Sequence, residues 1–215
     1  MQSHLDQSNQ DAYEQAREFA RQKRSELGIQ TKNINLPLLK KICKAEGIKV
    51  DMVARVGAHI RAAYFFDECG CSIMLRKDLP REPKMFALAH ELKHHFLDRA
   101  IIAEGKMQCG DYTANRTHEI AAEEFAAEFL YPVLEMKAVL DSIAVHPDTT
   151  SPGTLVEIKR RSPIEVSYTF IRKRLERFGI IAKDQYEKFQ FQKLEEEMYP
   201  PIYKQEWFKQ HRARK

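Results

Sequence analysis

The amino-acid sequence predicts an α+β fold that is mostly helical, with a small β-sheet or hairpin and a further helical segment at the C-terminal end. Apolar residues recur at helical spacing along most of the chain, whereas branched and aromatic residues around a short glycine-containing loop indicate strands only between residues 48 and 79. The 215 residues, 43 % of them hydrophobic, are enough for one domain with additional terminal segments. A hydrophobic core of this size needs no disulfide to be stable.

The composition excludes several classes of protein. Eight Gly and nine Pro are too few for a low-complexity or collagen-like chain. The apolar runs fall far short of the roughly 20 residues that span a bilayer, and residues 1–10 lack the apolar core of a secretory signal. Four Cys imply no disulfide framework, so we expect a soluble protein of the reducing cytoplasm with no membrane partner. The net charge of +4 gives only a weak attraction to nucleic acid.

The first elements are expected to be two helices followed by a small sheet. Apolar residues at helical spacing predict helices over residues 11–29 and 37–45. Residues 48–56 are predicted to be extended. Residues 62–67 and 72–79 are rich in aromatic and branched side chains, and they are predicted to form a β-hairpin.

Helices dominate the rest of the chain. A largely apolar helix, opened by prolines in its first turn, is predicted over residues 83–98. After a glycine-punctuated loop, further helices are predicted over residues 116–131 and 133–143. Residues 146–153 are rich in Pro and Thr and form the best candidate linker. Residues 154–181 are expected to form two short helices.

These elements suggest four parts of the chain. They are an N-terminal helix in residues 1–35, a core in residues 36–145, a small helix-turn-helix-like segment in residues 154–181, and a charged helix (183–198) with a tail in residues 182–215. The third part is basic, and of two interpretations, contact with nucleic acid is less favoured than docking of a protein substrate. Its basic side chains are Lys159, Arg160, Arg161, Arg172, Lys173, Arg174 and Arg177.

An H-E-x-x-H motif at residues 90–94 indicates the chemistry. On a helix, His90 and His94 project from one face about one turn apart, close enough for two imidazole nitrogens to bind one zinc ion. Glu91 lies beside that face, where its carboxylate can take a proton from the water that zinc activates, as the general base of zinc proteases does. The alternative explanation is a helix that carries two histidines by chance.

A catalytic zinc ion needs a third protein ligand. Glu119 is the leading candidate, because it lies in the next predicted helix, beyond a loop long enough to turn the chain antiparallel, and it precedes a seam of small residues. His118 is an adjacent rival. Glu123, Glu124 and His95 are weaker candidates.

Two segments that include these residues resemble a known family. Residues 86–94, FALAHELKH, and residues 119–132, EIAAEEFAAEFLYP, resemble the two signature segments of the ImmA/IrrE metallo-endopeptidases. The order of elements over residues 36–79 and a V-S…R-L…F-G-I-I pattern within residues 154–181 are also similar to that family. The resemblance therefore covers about residues 36–181.

The resemblance implies a zincin-like metalloprotease core with a gluzincin-like ligand set, in which His90, His94 and Glu119 bind zinc and Glu91 is catalytic. It also implies site-specific cleavage of a helix-turn-helix transcriptional repressor, in association with a phage, a mobile element or a stress response. The residue that would stabilise the oxyanion besides zinc is not assigned by it. Candidates for this role are His118, His146 and Tyr168.

Three positions depart from the family pattern. Lys93 replaces a Gly between the ligands, and its cation either extends outward or turns toward the metal. Glu123 replaces a shorter Asn or Asp, which would orient a ligand histidine from behind, and Tyr131 replaces a Met in packing. Lys93 and Glu123 motivate an alternative function, that of a non-catalytic metal-binding regulatory module that binds a repressor or DNA without cutting it.

Overall fold

The computed structural model describes residues 2–57, 59–105 and 115–201, with side chains from residue 10 onward. The predicted tail beyond residue 201 and most of the predicted loop before residue 116 lie outside these ranges. Over the described residues the helices are α1 (Gln2–Glu26), α2 (Leu36–Ala45), α3 (Arg81–Lys93), α4 (Arg99–Ala103), α5 (Arg116–Leu130), α6 (Val133–Ser142), α7 (Pro152–Arg161), α8 (Tyr168–Arg177) and α9 (Phe191–Met198).

The strands form one small sheet. They are β1 (Ile48–Val53), β2 (Ala62–Asp67) and β3 (Gly70–Arg76), in the order β1-β3-β2. β2 and β3 are antiparallel, which confirms the predicted hairpin, and β1 runs parallel to β3. β3 begins two residues earlier than expected, because Gly70 takes a φ of 109° that closes the tight turn. The α+β class, mostly helical with a small sheet, is therefore confirmed.

The chain divides into two compact units, Met1–Glu135 and Met136–Lys215. In the first unit, α3 packs against α5, α2 and the sheet, and α1 lies along α5. The core of this unit is lined by fully buried side chains from these elements, among them Leu88, Leu92 and Phe125. In the second unit, α7 packs against both α8 and α9.

The structure corrects two predicted helices. The charged helix expected over residues 183–198 is restricted to α9, because residues 183–188 form turns in which Asp184 and Tyr186 have φ values of 58° and 64°. The single helix expected over residues 83–98 begins at Arg81, and after Lys93 it widens into a π-helical turn, His94–Asp98, before α4.

A row of arginines on α1 holds α5 in place. Arg17 donates a hydrogen bond to Glu124 (2.9 Å), and Arg21 donates one to Glu128 (3.3 Å). Arg24 is buried, and its guanidinium donates to the backbone carbonyl of Phe129 at the C-terminal end of α5. α1 therefore fixes α5 along its length, including the end that leads into α6.

We expect Arg24→Met to lower the free energy of unfolding by about 2–3 kcal/mol, because it removes charged hydrogen bonds from a buried carbonyl. The matched control is Lys23→Met on the same helix, whose ion pair is with the exposed carboxylate of Glu26 (2.8 Å) and whose loss should cost no more than about 1 kcal/mol. Urea unfolding monitored by circular dichroism measures both. Equal losses for the two variants would contradict the assignment of Arg24 as the buried clamp.

Candidate metal centre

Two helices bring the three predicted ligands together. His90 lies in the last turn of α3, His94 follows at the start of the π-helical turn, and Glu119 lies in the first turn of α5. One nitrogen or oxygen from each lies within 4.8 Å of those of the other two, and the structure places no other such group of His, Cys, Asp or Glu within the described ranges. The small side chains of Ala122 and Ala126 are fully buried, as expected for the seam where α5 approaches α3.

The donor atoms converge. His90 Nε2 lies 3.0 Å from Glu119 Oε2 and 3.2 Å from His94 Nε2, and His94 Nε2 lies 3.7 Å from Glu119 Oε1. The Glu119 side chain is only 1 % exposed. Because a buried carboxylate is stable only when it is paired with positive charge or bound to a metal, this arrangement favours a cation at its centre.

The environment of His94 tests whether the residues fit a metal. Its Nδ1 lies 2.6 Å from Asp98 Oδ2. An ionised carboxylate can only accept, so Nδ1 donates; the neutral form of the ring then has its lone pair on Nε2, the nitrogen that faces Glu119 and His90. Two imidazole nitrogens and a carboxylate oxygen are the donor set that zinc accepts in catalytic sites, so the residues present fit such an ion.

Glu91 lies next to His90 but is not one of the three candidate ligands. It is 5 % exposed, and its Oε2 has no hydrogen-bond partner among the described residues. Burial raises the pKa of Glu91, and only part of this rise is offset by His90, by His94 and by a backbone hydrogen bond from Tyr64 in β2. Glu91 therefore has an oxygen free to exchange a proton beside the candidate ligands.

The pKa of His90 reflects the carboxylates that surround its ring. Burial by itself lowers this pKa, but the hydrogen bond with Glu119 and the charges of Glu91 and Glu123 outweigh it, so that the pKa lies above its ordinary value. The three carboxylates thus attract positive charge, as a site for a divalent cation requires.

Lys93 neither extends outward nor turns toward the ligands. It is 3 % exposed, and its Nζ donates to Asp98 Oδ2 (2.6 Å) and to the backbone carbonyl of His118 (3.2 Å). Burial alone would raise the pKa of Asp98, but hydrogen bonds from His94 and Lys93 hold it at about 2. The Lys93 cation is therefore held in a buried ion pair with Asp98.

The remaining candidates occupy other places. His118 Nδ1 contacts Asp98 Oδ1 (3.2 Å) rather than the ligands. His95 points to the Tyr64 hydroxyl (3.1 Å), Glu124 pairs with Arg17, and Glu123 is half-buried and acts on His90 through its charge.

His146 and Tyr168 belong to the second unit. The Tyr168 hydroxyl donates to Glu195 Oε2 at 2.6 Å. Asp98 was missed in the sequence, although its position four residues after His94 is a helical spacing that could have indicated it.

A family model of a peptidase domain, described as the IrrE N-terminal-like domain, matches residues 43–176, more than half of the chain. The chain therefore belongs to this family, the ImmA/IrrE metallopeptidases. α1 and α9 lie outside the matched range. A comparison with curated protein sequences gave no significant match. In the part of the chain that is described, no helix is both long and apolar enough to cross a bilayer.

The unpartnered oxygen of Glu91 leads to a prediction for the metal-free protein. Glu91→Gln removes a poorly solvated charge, and we expect it to raise the free energy of unfolding by about 1–2 kcal/mol. The matched control is Glu128→Gln, equally buried but paired with Arg21 and with the Val133 N–H, and it should lower stability by about 1–3 kcal/mol. Urea titration in the presence of a chelator measures both, and a loss in both variants would contradict the assignment.

Proposed function

We propose that this chain is a zinc-dependent endopeptidase in which His90, His94 and Glu119 hold the metal and Glu91 is the general base. One observation carries the proposal, namely the convergence of the three donor atoms beside a buried glutamate oxygen that has no hydrogen-bond partner among the described residues. A structural metal site would leave no reason for that fourth group. Membership of a metallopeptidase family supports the same function.

Zinc, when bound, supplies Lewis-acid chemistry that polarises the scissile carbonyl and makes a water molecule more acidic. The protein's own contribution is proton transfer. Glu91 accepts, at its free Oε2, the proton of the water that attacks the peptide carbonyl, and it then delivers that proton to the leaving nitrogen. The hydrogen bond from the backbone of Tyr64 holds the carboxylate in place between these two steps. Protons and charge balance over the cycle, because Glu91 returns to its ionised form.

The substrate that we propose is a helix-turn-helix transcriptional repressor, cleaved at a specific site in the cytoplasm and encoded near the protease on a phage, a mobile element or a stress-response locus. The resemblance of the two signature segments supports this assignment. A cytoplasmic setting is consistent with the free thiols of Cys43, Cys69 and Cys71.

The alternative is a module that binds metal, and binds a repressor or DNA without cutting it. In the second unit, Lys159 and Arg160 lie 3.6 and 3.7 Å from the carboxylate of Glu195, and Arg172 pairs with Glu176. Part of the basic set is thus neutralised within the chain, which favours a protein partner over nucleic acid. Lys93, which motivated the alternative, is paired with Asp98.

The metal assignment predicts one bound zinc ion per chain. We expect His94→Ala and Glu119→Ala each to lose that ion after dialysis, because a site with two remaining ligands binds zinc weakly. His146→Ala, which is not one of the three proposed ligands, should retain it. Elemental analysis of the dialysed proteins measures the stoichiometry, and zinc retained by the His94 and Glu119 variants would contradict the ligand set.

The catalytic assignment predicts that Glu91→Gln keeps the zinc ion and loses cleavage by at least about 10²–10⁴-fold, because the amide cannot take a proton from water. The assay is cleavage of the repressor encoded by the neighbouring gene, with Glu123→Gln as a control that removes a nearby charge but no proton acceptor of the mechanism. Cleavage by Glu91→Gln at the wild-type rate would contradict the mechanism. A wild-type protein that binds zinc and repressor without cutting would establish the alternative.

A further inference from the structure

Asp98 lies behind His94, at the ring nitrogen that does not face the other candidate ligands. Its Oδ2 accepts hydrogen bonds from His94 Nδ1 and Lys93 Nζ, both at 2.6 Å, and its Oδ1 lies 3.2 Å from His118 Nδ1. We call Lys93, Asp98 and His118 the Asp98 cluster. Asp98 and Lys93 are almost completely buried, so water competes little for these hydrogen bonds.

The cluster connects both helices that carry the candidate ligands. Lys93 lies at the end of α3, between the candidate ligands His90 and His94. His118 lies on α5, immediately before Glu119. The Lys93 ammonium bonds to the backbone carbonyl of His118, and Asp98 contacts the His118 ring. The Asp98 carboxylate therefore contacts both the His94 ring and the residue that precedes Glu119.

A local change of helix type brings Asp98 to this place. Residues His94–Asp98 form a π-helical turn between α3 and α4. π-helical turns cost stability relative to an α-helix and occur frequently at functional sites. Here the wider turn includes both the ligand His94 and the carboxylate that binds its second nitrogen.

We propose that Asp98 is a positioning residue for the metal centre. It fixes the His94 ring with Nδ1 protonated and Nε2 directed at the metal, and Lys93 neutralises its charge so that it can do this while buried. The proposal rests on the proposed function only in taking His94 as a metal ligand. The competing explanation is that Lys93 and Asp98 form an ion pair that stabilises the helix and has no effect on the ligand.

Three variants separate the two explanations, because each explanation predicts a different order of their zinc affinities. Lys93→Met breaks the ion pair but leaves Asp98 on His94. Lys93→Met/Asp98→Leu removes both charges, which is often neutral for stability because no lone buried charge remains. Lys93→Met/Asp98→Asn keeps an acceptor oxygen for His94 without the charge. The measurements are zinc dissociation constants by competition with a chromophoric chelator, and urea unfolding of the metal-free proteins.

Under the proposal, Lys93→Met binds zinc less than about tenfold more weakly than the wild type, because Asp98 still accepts the hydrogen bond from His94 although its charge is no longer compensated by Lys93. The metal-free form of this variant is destabilised by the same loss of compensation. Lys93→Met/Asp98→Leu binds zinc about 10–100-fold more weakly, as loss of a group that orients a ligand does. The Asn double variant recovers part of that loss. If the pair is only structural, the order reverses: Lys93→Met is worst and the Leu double variant returns to wild-type affinity, which overturns the proposal.

A matched control removes another ion pair in the same way. Arg17→Met/Glu124→Leu deletes the pair between α1 and α5, at 2.9 Å, without touching the metal centre. Its zinc dissociation constant should stay within about threefold of the wild type. A loss as large as that of Lys93→Met/Asp98→Leu would show that the chelator assay reports general loosening of α5, and this result too would overturn the proposal.

The tautomer of His94 supplies a readout that needs no metal. Long-range ¹H–¹⁵N spectra of the metal-free protein at alkaline pH should show His94 protonated at Nδ1 in the wild type and in Lys93→Met, and no longer fixed in Lys93→Met/Asp98→Leu. Protonation at Nε2 in the wild type overturns the proposal. A wild type that binds no zinc but shows the Nδ1 tautomer refutes the proposed peptidase while supporting Asp98 as the group that orients the ring.

Discussion

The burial of the Glu119 carboxylate is the constraint on which the rest of the first unit depends. A carboxylate with 1 % exposure is stable only among groups that supply positive charge or hydrogen bonds. Two imidazoles supply part of this, and they are held one turn apart by α3. The fully buried Ala122 and Ala126 on α5 lie along the seam that lets the two helices approach so closely.

Charge pairing also supports the region around the centre. Behind His94, the negative charge of Asp98 is matched by Lys93, and along α5 the buried Glu124 and Glu128 are matched by arginines of α1. Glu91 is the exception, because it keeps an oxygen without a hydrogen-bond partner among the described residues. Groups of this kind lower the stability of a fold and are usually retained where chemistry requires them.

The periodicity of the sequence predicted the features of the fold that are set by regular helices and strands. His90 and His94 lie one helical turn apart because the turn of α3 between them is regular, and Glu119 lies on the regular helix α5. The β-hairpin follows from branched and aromatic residues around a tight turn. The pairing of Lys93 with Asp98 escaped prediction, because these residues are five positions apart and are brought together by a π-helical turn that α-helical periodicity does not indicate. The start of α9 was misplaced for a related reason, since the charge pattern does not indicate the positive φ values of Asp184 and Tyr186, which are incompatible with a helix there.

The three arginines of α1 show that the structural unit around Glu119 includes residues before the range matched by the family. Similarity to the family starts at residue 43, yet Arg17, Arg21 and Arg24 all precede that point. A fragment restricted to the matched range would lack Arg17 and Arg21, which pair with the buried Glu124 and Glu128 of α5. At its N-terminal end, the range matched by the family is thus narrower than the compact unit Met1–Glu135. The helix that carries Glu119 packs against a segment, α1, that the family match does not include.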